Sequence, residues 1–336
     1  MAMTLAEMKV GMSDKVAQMV VDTFIRESEV LELLPFDNCV SPQGGSTLTY
    51  SYIQKKLPST TAFRAINSEY GKSVATVEKK TADLAILGGA FEIDRVIKQA
   101  EGMWNNMEFQ VKEKILSAIG TFHNGMINGD TAQVANSFDG LDKFLVGQDT
   151  EFGTDAYIDL STMENLKNNA DAFYEQLLTL INRTSADALF VNEGMKTKIQ
   201  TVARILGYKT ESEEAFGRTI TTIGEGKVRL IDLGNVVTVS GSGESAVAVE
   251  TPIIGKKTRT ISSASVTGLT DIYAVKFDVN DGFHGITLTG NAGINTYLPD
   301  FNTAGAVKTG EVELVAGVAL KNVKHAGVLR NVKIAQ

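Results

Sequence analysis

Apolar residues recur along the chain in two rhythms, and each predicts a different kind of element. The longest helical rhythm runs from Asp94 to Asn128, where Met103, Met107, Val111, Ile115, Ala118, Phe122 and Met126 return at steps of three or four. Such steps line one face of an α-helix. The stripe itself, from Met103 to Asn128, covers about 27 residues, which at about 1.5 Å each make a rod of roughly 40 Å. Mean globular helices have only ~11–12 residues. Glu108 and Lys112 add an i,i+4 pair, and Gly129 stands where a left-handed C-terminal cap is expected. Three shorter helices follow the same logic. "SDKVAQMVVDTFIRES" has Ser13 as its N-cap, and Ser161 with Glu164 forms a capping box ahead of Leu166, Ala170, Phe173, Leu177 and Ile181. "EGMKTKIQTVARIL" (193–206) is the third.

Period-2 alternation marks strands. In "GGSTLTYSYIQKK", Leu48, Tyr50 and Tyr52 alternate with Thr47, Thr49 and Ser51. A polar connection, "LPSTTAFRAINSEYGKS", leads to a second strand-like run, "VATVEKKTADLAILGGAFEID". Two long strands with a polar middle predict a protruding ribbon, and an isolated hairpin is only marginally stable in water. It therefore needs a partner surface. "ALFVN" (188–192) reads as a buried strand, and from about residue 217 onward "KVRLIDL", "NVVTVS", "SAVAVE", "DIYAVKFDV", "EVELVAG" and "GVLRNVKI" are β-like. The fold class is α+β.

Composition narrows the function classes. The 336 residues can bury a large core, and 43% hydrophobic with 21% charged residues is ordinary for a folded chain. A net charge of −8 argues against broad nucleic-acid contact, though a local basic face remains compatible with it. The single cysteine, Cys39, excludes an intrachain disulfide and reads as a small buried apolar residue. The N-terminus lacks a secretory pattern, and no stretch approaches the ~20 apolar residues of a membrane span.

Candidate chemistry is sparse. His123, His284 and His325 are scattered; His123, near the end of the long helix, suits the dipole there as a cation. "GSGESA" (241–246) imitates a dinucleotide loop, but strand-like "AVAVE" follows it where a helix would be needed, so it reads as a hairpin turn. "TIGEGKV" has Thr221 and Val228 where a phosphate loop requires Gly and Ser or Thr. "DVNDG" (278–282) has its Gly one position early for a calcium loop, and Thr289 replaces the final carboxylate. Asp130 and Asp139, in "FHNGMINGDTAQVANSFDGL" (122–141), pair two acids with turn-forming residues, and a corner accounts for both. No catalytic residue, cofactor or metal site is expected.

Several stretches coincide in order with a known family. "ESEVLELLPFDN" (27–38), "AFRAINSEYGKS" (62–73), "LAILGGAFEIDR" (84–95), "FHNGMINGD" followed by "FDGL", "DIYAVKFDVNDGFHGI" (271–286) and "VELVAGVALKNVKHAGVLRNVKI" (312–334) are its carriers. Together they resemble the major capsid proteins of tailed bacteriophages, which share the Hong Kong phage capsid fold with encapsulins. Leu314 and Val323 stand where many relatives carry Trp and Pro. The resemblance implies an N-terminal arm (1–40), an extended two-stranded loop (41–92), a peripheral domain with a long spine helix (93–140), an axial domain (141–305) and returning peripheral strands (306–336). It also implies self-assembly of identical subunits through pentamers and hexamers into an icosahedral head enclosing double-stranded DNA without sequence-specific contact. An encapsulin-like nanocompartment is the alternative. The implied site is the virion capsid, assembled in the cytoplasm of a bacterial host with no membrane partner. Only about 40 residues precede the ribbon, which leads to the expectation of a separate scaffolding protein; a portal and a decoration protein are further implied partners. On the ribbon, Tyr50, Tyr52, Lys55, Lys56, Phe63, Arg64 and Glu69 are the expected contacts to a neighbouring subunit, since aromatic residues and Arg anchor interfaces well.

Overall fold

The computed structural model describes residues 28–39, 48–99, 106–208, 211–215, 218–223, 228–241, 246–288 and 293–335. The expected Ser13 cap and most of its helix lie outside these residues. In chain order the first half holds α1 (Glu29–Leu33), β1 (Phe36–Asn38), β2 (Thr49–Leu57), β3 (Thr76–Asp83), β4 (Ala85–Asp94), α2 (Arg95–Gln99), α3 (Asn106–Asn128) and α4 (Leu141–Leu145). Then come β5 (Glu151–Phe152), β6 (Ile158–Asp159), α5 (Met163–Thr184), β7 (Ala188–Val191), α6 (Glu193–Ile205), β8 (Glu211–Ala215), β9 (Arg218–Ile223) and β10 (Val228–Asp232). The chain ends with β11 (Asn235–Ser240), β12 (Val247–Pro252), β13 (Lys257–Ile261), β14 (Ala264–Val275), β15 (Phe283–Thr287), β16 (Asn295–Tyr297), β17 (Val307–Leu320) and β18 (Ala326–Lys333).

The apolar stripe of α3 does what its spacing predicts. Val111, Ile115, Ala118, Phe122 and Met126 are all buried, and the 23 residues span about 35 Å. Two expectations at helix ends need correction. Gly129 has no left-handed backbone; it is required because a Cβ there would overlap the carbonyl oxygens of Phe138 and Gly125. The cap of α5 is Thr162, one residue later than Ser161, and its hydroxyl accepts from Asn165 N at 3.1 Å. Ser161 turns instead to Asp159, donating both its N–H and its hydroxyl to Oδ1.

Two sheets organise the rest. A five-stranded sheet runs β1-β15-β17-β16, with β4 also paired to β17 over Ala85 to Asp94. Its inner face, including Phe91, Ile93, Val312 and Leu314, packs in one core with α3 and with Val30 and Leu31 of α1. A nine-stranded sheet contains β5-β18-β14-β7-β10-β9-β8, with β13 and β6 attached. Its central strands alternate between two cores. Ala188, Phe190, Tyr273, Val275 and Val328 join the core of α3, while Leu189, Val191, Ile272, Ala274 and Leu329 pack with α5 and α6. Burial on both faces explains why "ALFV" is continuously apolar. Sheet membership also crosses the segment boundaries expected from the sequence: β15 and β16 join the five-stranded sheet, and β18 passes into the nine-stranded one.

Candidate assembly surface

The strand expected over 74–94 is two strands. It breaks at the buried Leu84, whose N–H donates to Leu48 O at 2.8 Å. β4 is paired into the body, whereas β3 pairs with β2 alone as a separate two-stranded sheet. The projecting ribbon is therefore 49–83, closed by a tip in which Ser73 Oγ accepts from Thr60 N and donates to Thr60 O. Every residue from 55 to 81 is exposed. Large apolar side chains are among them: Phe63 is 108% exposed, Ile66 91% and Val74 81%. Burying such side chains contributes about 1.5–3 kcal/mol each, and on the ribbon that gain is unrealised.

The sequence-expected contact residues divide into two groups. Lys55, Lys56, Phe63, Arg64 and Glu69 stand exposed on the ribbon, with the Arg64 guanidinium 5.2 Å from the Tyr70 ring centroid and bonded to Ser68 O. Tyr50 and Tyr52 are half-buried at the root, packed on the chain's own Cys39, Leu84, Ile286 and Ala319. Tyr50 donates to Asp37 Oδ2 at 2.5 Å and meets His284 edge-on at 5.7 Å, while Lys321 lies 5.3 Å from its ring centroid. Burial, together with the Asp37 carboxylate, pushes the Tyr50 phenol up. Burial and then Lys321 bring the His284 imidazole down to about 4. Burial by itself would raise the Asp37 carboxyl, but the Tyr50 hydroxyl and the Asn38 N–H hold it below its ordinary value.

The two acids of the 122–141 corner clamp one cation. Lys143 Nζ lies 2.7 Å from Asp130 Oδ1 and 2.8 Å from Asp139 Oδ1. Asp139 Oδ1 also accepts from Thr131 N and Thr131 Oγ1. These contacts fold the chain back, and Gly140 N donates to Gly129 O at 2.8 Å. His123 corrects the cation expected near the helix end. It is 6% exposed, burial brings it down to about 4, and its Nε2 sits 2.8 Å from the Ser28 hydroxyl. It is neutral at pH 7.

A half-buried ionic cluster around the buried Asp271 escaped the sequence reading. Asp271, 1% exposed, takes a bidentate bond from Arg259 with both N···O distances 2.6 Å, and Lys257 at 3.1 Å. Arg330 binds Asp142 at 2.6 Å and also Glu151, and Tyr273 OH donates to Asp142 at 2.9 Å. Three carboxylates thus face three cations, which ties α4 and β5 to β13, β14 and β18. Burial raises the Asp271 carboxyl, but Arg259 and Lys257 outweigh it and hold the group low. A carboxylate held in that state is a structural tie and a poor proton donor or acceptor near pH 7.

No protein-family model and no curated protein matches the sequence. Solved structures do match over nearly the whole chain. The holo-SrpI encapsulin complex from Synechococcus elongatus superposes with a TM-score of 0.55 at 12% identity, covering 93% of this chain and 89% of that one. A chain of Mycobacterium phage Bobi gives 0.55 at 10% identity, over 92% and 91%, and the capsid of a native GTA particle 0.54 at 10%, over 91% and 90%. The chain has the Hong Kong phage-type capsid fold. On this capsid fold the long helix α3 and the two sheets form the body, and the ribbon 49–83 projects with Phe63, Ile66 and Val74 left uncovered.

Proposed function

We propose that the chain is the major capsid protein of a tailed bacteriophage, assembling through pentamers and hexamers into an icosahedral shell around double-stranded DNA. The observation that carries the reading is the ribbon, exposed from 55 to 81 and rich in uncovered apolar side chains, on a capsid fold. Closed rings need complementary heterologous surfaces on each subunit, and stable interfaces bury roughly 1,600 Å². A projecting ribbon supplies such area without enlarging the core. Lys55, Lys56, Phe63, Arg64 and Glu69 are its proposed contact residues, while Tyr50 and Tyr52 hold its root. The net charge of −8 suits a container for DNA, since a lining that gripped phosphates would hinder packing and release. A separate scaffolding protein, a portal and a decoration protein complete the proposed partners, with assembly in the bacterial cytoplasm and the virion head as destination.

An encapsulin-like compartment is the second reading, favoured by a superposition on the SrpI encapsulin as good as that on the phage chain. Size-exclusion chromatography and negative-stain microscopy of the expressed chain test the shell common to both. Rings or closed particles are expected, and a compact monomer at all concentrations would refute it. Nucleic acid inside native particles supports the phage head, and protein cargo the compartment. Arg64→Glu with Lys55→Glu is expected to lower particle yield; an unchanged yield would remove these residues from the contact.

A further inference from the structure

His284 lies beneath the ribbon root. Strand alternation places it on the same face of β15 as Ile286, the face on which Tyr50 and Tyr52 pack, and it is fully buried there. Its Nδ1 is 3.3 Å from Gly282 O. A carbonyl only accepts, so Nδ1 carries the hydrogen of the neutral ring and Nε2 is a bare lone pair. That Nε2 has no hydrogen-bond partner among the described residues. A buried polar atom left in this state is rare in folded proteins.

Titratable groups reach His284 from the elements packed around it. β1 brings Asp37, β2 brings Tyr50, the turn before β15 brings Asp278, and Lys321 follows the end of β17. Cys39 and Tyr52 stand beyond Tyr50. Some of these groups anchor the ribbon. Tyr50 donates to Asp37 Oδ2, Lys321 Nζ lies 3.8 Å from the same oxygen, and Gln54 Nε2 donates to Lys321 O at 3.3 Å. Lys321 is itself tethered, since its Nζ donates to Val279 O at 2.7 Å. A proton added at Nε2 therefore creates a second cation beside a tethered one. The new N–H also needs an acceptor, and both nearby carboxylates are engaged, Asp37 by Tyr50 and Asp278 by Asn280 N. We infer that the ribbon root is a proton-operated latch, in which protonation of His284 frees β2 and β3 from the body while the body stays folded. The new N–H competes with the Tyr50 hydroxyl for Asp37, Lys321 repels the ring, and the root lifts until His284 meets water. Asp37 is held below its ordinary value, so it keeps its charge at pH 5 and the histidine sets the response. The latch belongs to the single chain and is independent of the shell-forming reading.

Hydrogen–deuterium exchange of the dilute full-length chain at pH 7 and pH 5, with labelling times scaled for intrinsic exchange, tests this. Once released, β2 and β3 form an isolated hairpin of marginal stability, so their amides report the opening. His284 binds its proton near pH 4 when buried and near 6.5 when exposed. Linkage then makes the opening equilibrium about twentyfold larger at pH 5 than at pH 7. That gain is expected in peptides covering 49–57 and 76–83, while peptides of α5 stay protected at both pH values. In His284→Gln the gain should fall below about threefold, because the group that takes the proton is gone. His284→Phe, which keeps a ring under Tyr50, should behave the same way and serves if the Gln variant loosens the root at pH 7. Equal opening of the root at both pH values would overturn the inference. So would loss of α5 protection together with the root, which is the sign of a merely structural histidine, or a twentyfold gain that survives in the variants.

Discussion

Gly129 is a position where one added carbon has no room. A Cβ would overlap two backbone carbonyls, Phe138 O and Gly125 O, and neither can move without opening the corner. Gly129→Ala is expected to lower unfolding free energy by about 1–3 kcal/mol, read from denaturant midpoints. The need for glycine is legible in the sequence, but its cause is packing, because Phe138 reaches Gly129 only in the folded corner. Histidines show the same limit. His123 and His284 have an ordinary pKa of 6.5 and sit near 4 when folded. The unfolded chain therefore binds protons between pH 6.5 and 4 that the folded chain refuses, and stability falls as pH drops through that window. At pH 5 each histidine should cost about 2 kcal/mol relative to pH 7. Urea titrations at both pH values check this, and His123→Gln should remove one histidine's share. Nothing adjacent in sequence says that His123 is neutral, since Ser28, 95 residues away, forms part of its surroundings.

At the scale of elements, the ribbon is a hairpin anchored only at its root. Tyr50→Phe removes the bond to Asp37 and leaves that carboxylate short of a partner, at a cost of about 1–3 kcal/mol. Faster trypsin cleavage at Lys55 or Lys79 in the unassembled chain, with the body intact, is the expected sign. The ionic cluster joins other elements more firmly. Asp271→Asn leaves Arg259 and Lys257 with reduced compensation and should destabilise by roughly 3–5 kcal/mol in thermal or denaturant melts. Adding Arg259→Met should cost much less than the sum of the two single changes, because both changes break one pair. Helix α3, strand β7 and the hairpin β11–β12 were readable because their signals are local periodicity and turn chemistry. The cluster was not: Tyr273, Arg330 and Glu151 reach their partners across separations of 131, 188 and 179 residues. The break at Leu84 was hidden for a similar reason. Both halves of the run favour strand, and only pairing of β4 with β17 separates them.

For the whole molecule, the body and the ribbon answer different demands. Residues 55 to 81 contribute no buried side chain. Replacing 58–75 by a short Gly-Ser turn should therefore leave the melting temperature within a few degrees while abolishing rings and shells in electron micrographs. A large loss of monomer stability would mean that the ribbon serves its own body. Sequence alone determined the α+β class, the long helix, the presence of a projecting hairpin and, by ordered resemblance, the capsid fold, because each is written in residues close along the chain. Tertiary structure decided the rest: the neutral histidines, the six-group ionic tie and the shortened ribbon. Burial and charge pairing at these places depend on residues that folding brings together from distant parts of the chain, and local pattern holds no record of such meetings.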